Sequence, residues 1–210
     1  STWIVGMMPI VLATEDEVSE AVGKKLISEH AVFSSTHIKL LRRNGYGYLR
    51  SRMDRWRQMA QRQVVIVLTD LDRQACPLVL LDDWFTAGSP PPQNLLLRIA
   101  VREVESWLLA DHDALRNLIG NRGQFPAQPD TLPDPKQHLL GLAQRAPRVV
   151  RDDLVARQGA IARQGIGYNR RLVDWVQNQW TPERAATLSP SLFRARKAIC
   201  EAADRAMETQ

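Results

Sequence analysis

The chain has 210 residues, 44% of them hydrophobic and 24% charged, which is enough for a well-buried core and ordinary for a folded globular protein. No apolar run reaches the roughly 20 residues of a membrane span. The two cysteines, Cys76 and Cys200, make neither a disulfide framework nor a zinc-ligand spacing, so a reducing cytoplasm is the expected compartment. With 28 Lys and Arg against 23 Asp and Glu the net charge is +5, and arginine dominates the basic set; this balance is permissive for contacts to phosphate.

Residues 1–12 are apolar but lack the basic flank and small-residue cleavage site of a signal peptide. Residues 9–14 (PIVLAT) read as a short buried strand. Glu15, Asp16 and Glu17 follow, and from 19 to 29 Val22, Leu26 and Ile27 fall at helical spacing, so the pattern is strand, acidic turn, helix. Residues 32–41 mix apolar and polar side chains as a second strand. Asn44-Gly45-Tyr46-Gly47 marks a turn, and residues 48–62 read as one basic amphipathic helix. Residues 64–69 (VVIVLT) are the clearest buried strand, β-branched and continuous as in a parallel sheet covered on both faces, and they end in Asp70-Leu71-Asp72. A helix is expected over 76–85, a loop at Gly88-Ser89-Pro90-Pro91-Pro92, and a strand over 95–100 (LLLRIA).

From 101 to 119 Val104, Trp107, Leu108, Leu115 and Leu118 form a helical stripe. Residues 120–135 hold two glycines and four prolines, the expected lobe boundary. Helices are expected over 136–145, 169–180 and 191–207. Alternating strands and helices followed by helices alone predict an α/β fold: a Rossmann-like central parallel sheet flanked by helices over 1–120, with a helical C-terminal lobe over 121–210.

Three acidic clusters stand at or beside expected strand ends: Glu15-Asp16-Glu17 with Glu20, Asp70-Leu71-Asp72, and Glu103-Val104-Glu105 with Asp111. Open α/β sheets build their sites beyond the carboxyl ends of the strands. Carboxylates gathered there repel one another, which a cation relieves, and hard oxygen donors select Mg²⁺ or Mn²⁺ rather than zinc. A pair of such ions activates water and stabilises the leaving oxygen of a phosphodiester. Each cluster alone is more ordinarily a helix cap or a solvated face; the pattern of three carries the reading.

In this order the acids resemble the Toprim domain of topoisomerases, primases and the overcoming-lysogenization-defect nucleases. Glu15-Asp16-Glu17-Val18-Ser19-Glu20 is similar to the Glu-Gly-x-Thr/Ser-Glu start of the nuclease branch and its small stand-alone bacterial relatives, without the glycine. Ser19-Glu20 registers with either Glu15 or Asp16 as the leading acid; Glu15 is preferred because a glutamate is expected there. Residues 102–111 (REVESWLLAD) and Asp134-Pro135-Lys136 are similar to later segments of those relatives, so the resemblance spans about 9–140. It implies a Toprim-like fold in which Glu15, Asp70 and Asp72 hold one Mg²⁺ or Mn²⁺. Glu20, Glu105 and Glu103 help hold a second, and Lys136 stabilises charge developing on the phosphate. The implied activity is metal-dependent hydrolysis of DNA or RNA, with phage defence as the setting. A catalytically silent nucleic-acid-binding or regulatory subunit beside a separate ATPase is the alternative, motivated by the missing glycine.

Other features carry less. Tyr46, Tyr48, Arg50, Arg52, Arg55 and Arg57 read either as a nucleic-acid track or as a solvated basic helix. Trp107, Trp175 and Trp180 read as core, and His112 as a surface histidine. The Gly165-Ile166-Gly167-Tyr168 segment, followed by Asn169-Arg170-Arg171, is a weak signal for a turn approaching a phosphate. No Walker-type lysine loop is present to support an ATPase.

Overall fold

The computed structural model describes residues 9–34, 37–43, 47–71, 77–85, 90–100 and 102–209. Asp72, Cys76, the Asn44-Gly45-Tyr46 turn and Gly88-Ser89 lie outside the described residues. The chain forms two compact units, one of residues 1–99 with 194–210 and one of residues 100–193. The Pro-rich stretch at 120–135, read from composition as a boundary, lies inside the second unit.

The first unit is built on a four-stranded, all-parallel sheet flanked by helices. Its strands are β1 (Ile10–Thr14), β2 (Ile38–Arg42), β3 (Val64–Asp70) and β4 (Leu95–Ala100), in the order β2-β1-β3-β4. β1 pairs with β3 in parallel, Ile10 opposite Val64 through Ala13 opposite Val67, and with β2, Ile10 opposite Ile38 through Thr14 opposite Arg42. Every residue of β1 and the first six of β3 are buried. That explains their continuous apolar runs through Ala13 and Leu68: a central parallel strand has no solvent face on which polar side chains could alternate. Each fully buried Val, Leu or Ile contributes about 1.5–3 kcal/mol to holding the sheet inside. The edge strand β2 is instead half-exposed, with Lys39 and Leu40 in solvent, as an unpaired edge requires.

Helix α1 (Glu17–Ser28) buries Val18, Val22, Leu26 and Ile27. It lies so close to β1 that a Cβ on Gly23 would stand 2.7 Å from Leu12 Cδ1, which only glycine avoids. The stretch read as one strand at 32–41 divides into a short helix, α2 (Ala31–Ser34), and then β2. The basic helix read at 48–62 is two pieces, α3 (Tyr48–Ser51) and α4 (Met53–Met59), parted at Arg52 with φ −108° and ψ 15°. α5 (Pro77–Trp84) leads toward β4. The last helix, α12 (Pro190–Glu208), returns to the first unit from residue 194 and buries Ala195, Ile199, Ala202, Ala203 and Ala206. Arg196 holds it to Glu29 at 2.7 and 3.1 Å.

The second unit is helical among its described residues apart from one bridge, Val155 with Gln164. It comprises α6 (Glu105–Ala110), α7 (His112–Ile119), a 3-10 turn at Pro129–Thr131, α8 (Pro135–Ala143), α9 (Arg148–Leu154), α10 (Tyr168–Asn178), α11 (Pro182–Ala186) and the start of α12. The tryptophans Trp107, Trp175 and Trp180 are its core, and each indole N–H is satisfied. Trp107 donates to Ser191 Oγ at 2.8 Å, Trp175 to the Ala114 carbonyl at 2.9 Å, and Trp180 to the Trp107 carbonyl at 3.0 Å. No helix among the described residues is long and apolar enough to cross a membrane.

Candidate functional site

The parallel register sends β1 and β3 out at the same edge of the sheet. Glu15 directly follows β1, and Asp70 is the last residue of β3. Both are partly exposed. Asp16 next to Glu15 has a different job. Its backbone is extended, and its carboxylate caps α1, Oδ1 accepting from Ser19 N–H at 2.8 Å and Oδ2 from Ser19 Oγ at 3.0 Å. Of the two acids that the sequence offered as the leading residue, Asp16 is therefore engaged as a helix cap, and Glu15 stands at the strand end. Asp72 lies outside the described residues.

Arg42 occupies the carboxyl end of β2, opposite Thr14. Its Nη1 lies 3.3 Å from Glu17 Oε1, and its Nε lies 3.5 Å from Glu20 Oε2. Glu20, expected as a metal ligand, thus shares a guanidinium with Glu17 one turn before it on α1. Among the described residues no group of three or more His, Cys, Asp or Glu side chains is gathered as metal ligands.

In the second unit, the Glu103-Glu105 pair and Lys136, which the sequence singled out separately, come together. Glu105 opens α6 and is only 5% exposed. Its Oε1 accepts the Tyr168 hydroxyl at 2.6 Å. Burial pushes the Glu105 carboxyl above its ordinary value, and the nearby Glu103 charge adds to this, against the lowering effect of the Tyr168 hydrogen bond and Lys136. Glu103 Oε1 accepts the backbone N–H of Lys136 at 3.3 Å. Its carboxyl is also raised, chiefly by burial and further by Asp134, with the Lys136 N–H opposing. The Lys136 ammonium sits 5.0 Å from the centre of the Tyr168 ring, within cation–π range. Asp134 caps α8 through Gln137 N–H at 3.0 Å and receives Arg163 Nη2 at 3.0 and 2.9 Å. Pro135 at the first position of α8 needs no N–H partner, so the Asp134-Pro135-Lys136 run starts a helix and sets Lys136 beside Glu103.

Tyr168 and Arg163 carry this cluster as much as the acids do, and neither was assigned to it from sequence. Tyr168 lies 63 residues beyond Glu105, a separation that no local spacing reveals. The glycines before it are explained by close packing. A Cβ on Gly165 would lie 2.3 Å from the Asp153 carbonyl oxygen, and one on Gly167 would lie 2.5 Å from Asp153 Oδ1. Arg170 and Arg171 both pair with Asp153, at 3.4 and 2.6 Å. The segment read as a phosphate-approaching turn is thereby anchored to Asp153, and it fixes the start of α10 where Tyr168 sits.

Asp111 is fully buried and structural in its contacts. It caps α7 through Ala114 N–H at 3.2 Å, accepts Thr181 N–H at 2.8 Å, and pairs with Arg184. His112 Nε2 meets the Pro126 carbonyl at 2.8 Å and its ring packs edge-on to Phe125. Comparison with protein-family models, with curated proteins and with solved structures finds no match for this chain.

Proposed function

We propose that this chain is a divalent-metal-dependent nuclease of Toprim-like architecture, hydrolysing DNA or RNA phosphodiesters with water as nucleophile. The observation that carries the reading is the exit of Glu15 and Asp70 from adjacent parallel strands at one sheet edge, where open α/β sheets build their sites. The donor chemistry fits Mg²⁺ or Mn²⁺. The candidates are all carboxylates, and those of Glu103 and Glu105 are pushed toward protonation by burial, a cost that a nearby cation relieves.

On this reading Glu15 and Asp70, with Asp72, hold a cation in the first unit, and Glu103 and Glu105 hold one in the second. A bound ion would supply the charge that lowers the pKa of water and stabilises the leaving oxygen. Lys136 offers a fixed positive charge to the phosphate, and the exposed Arg50, Arg55 and Arg62 on and after α3 and α4 offer the backbone a non-specific hold. Phage defence in the cytoplasm is the setting the resemblance suggests. The test is cleavage of labelled single- and double-stranded DNA and RNA with Mg²⁺ or Mn²⁺. Cleavage is expected, lost with a chelator and lost in Asp70→Asn. Metal-supported cleavage that survives Asp70→Ala rules the assignment out.

One observation favours a second reading, in which the fold is kept and catalysis lost. Arg42 already gives Glu17 and Glu20 a positive partner, and the glycine of the nuclease pattern is absent. The chain would then bind nucleic acid, or regulate, beside a separate ATPase subunit. Calorimetry separates the two: nucleic-acid binding without any Mn²⁺ binding selects the second.

A further inference from the structure

Tyr168 joins two side chains that the nuclease reading uses separately. Its hydroxyl reaches Glu105 Oε1 at 2.6 Å, and its ring lies under the Lys136 ammonium at 5.0 Å. It is 1% exposed, so its hydroxyl meets Glu105 without competition from bulk water. Its backbone has little freedom. Tyr168 N–H donates to the Gly165 carbonyl at 3.2 Å, Gly165 N–H donates to the Leu154 carbonyl at 2.8 Å, and Arg171 Nε reaches Asp153 at 2.7 Å in the first turns of α10. A phenol O–H is a hydrogen-bond donor. It occupies only one of the roughly four lone-pair sites of a carboxylate, which leaves acceptor capacity for a cation. A Phe at this position would pack as well and hold the lysine as well, yet it would leave the buried Glu105 oxygen without its donor. The hydroxyl is thus chemically specific to the carboxylate, and the ring to the ammonium.

We propose that Tyr168 is a positioning residue, aiming the Glu105 carboxylate through its hydroxyl and the Lys136 ammonium through its ring. The proposal rests on the nuclease reading above. Two variants separate the roles. Tyr168→Phe removes the hydroxyl and keeps the ring, and Tyr168→Leu removes both.

Mn²⁺ affinity is measured by calorimetry on the full chain, with kcat and KM for a labelled oligonucleotide. Tyr168→Phe is expected to weaken Mn²⁺ binding by about ten- to hundredfold, as loss of a hydrogen bond to a metal-ligating carboxylate does, with KM unchanged. Tyr168→Leu is expected to lower kcat further at saturating Mn²⁺. A merely structural tyrosine would lower the melting temperature of both variants and leave the Mn²⁺ affinity of the folded fraction at the wild-type value; that result overturns the proposal. Wild-type chain that binds no Mn²⁺ overturns it together with the nuclease reading. Loss of activity in Glu105→Gln and Asp70→Asn, with Tyr168→Phe behaving as wild type, overturns the positioning role alone.

Should the variants not fold, the wild-type chain with ¹³C-labelled tyrosine rings decides. Paramagnetic broadening of the assigned Tyr168 resonance by substoichiometric Mn²⁺ supports the proposal, and its absence overturns it.

Discussion

Arg184 holds Asp111 by two hydrogen bonds, Nε to Oδ1 at 2.9 Å and Nη2 to Oδ2 at 3.0 Å, although 73 residues separate them. With the N–H groups of Ala114 and Thr181 on the same carboxylate, a fully buried charge is paired and hydrogen-bonded on every side. It ties the α6–α7 junction to the start of α11. Asp111→Ala removes a helix cap and leaves those donors without their acceptor. Breaking a buried pair in this way costs about 3–5 kcal/mol, so the urea midpoint is expected to fall markedly. Mn²⁺ affinity measured well below the melting temperature is expected to stay unchanged.

Glu105 and Glu103 make the chelated protein less stable as pH rises. Their carboxyl pKa values are raised in the folded chain, first by burial. Between the ordinary carboxyl value and the raised one, the folded state holds more protons than the unfolded. Stability is therefore greatest below the unfolded value and declines as pH climbs through the folded one. Glu105→Gln keeps an oxygen for the Tyr168 hydroxyl and removes one of the two titrations. With a chelator present, its unfolding free energy is expected to vary less with pH than that of the wild type, and to exceed it at pH 7. A steeper decline in the variant would contradict the assignment.

Glu15 and Glu17 are two residues apart, yet they are expected to differ in consequence. Glu17 is half-exposed and pairs with Arg42 on the surface, an interaction worth little in water. Glu15 follows β1 beside the end of β3. Glu15→Gln is expected to bring metal-supported cleavage to background, while Glu17→Gln retains the wild-type rate with both melting temperatures close to wild type. Equal activity in the two variants would remove Glu15 from the site.

Gly165 and Gly141 predict opposite signs for the same substitution. Gly165→Ala drives a Cβ to 2.3 Å from the Asp153 carbonyl oxygen, and such overpacking against backbone costs about 1–3 kcal/mol. Gly141 lies in α8, exposed, with nothing within 4 Å of the point where an alanine methyl would stand. There alanine is expected to add about 0.5–1 kcal/mol, because glycine is the poorer helix former. Thermal melts of the two variants, one falling and one rising, check both.

Much of the first unit was legible because burial of a parallel strand is a local pattern. The runs IVLA and VVIVL are apolar throughout, and both lie in central strands. The breaks in helices were not legible. A single stripe runs from Val104 to Leu118, yet the helix stops at Asp111 (φ −92°, ψ 87°) because the carboxylate serves donors 70 and 73 residues away. The four prolines at 120–135 read as a linker. Two of them instead open turns of helix, Pro129 and Pro135, and Asp130 between them binds Ser189 and Ser191 inside the second unit.

The order of residues alone determined the parallel strands and the presence of acids at the ends of β1 and β3, since both follow from apolar runs and the residues that terminate them. Tertiary packing decided the long-range partners of other acids: Glu20 an arginine from β2, Glu105 a tyrosine from α10, Asp111 an arginine from α11. Contacts between residues so far apart depend on how whole elements dock, because loop closure carries no signature in neighbouring residues.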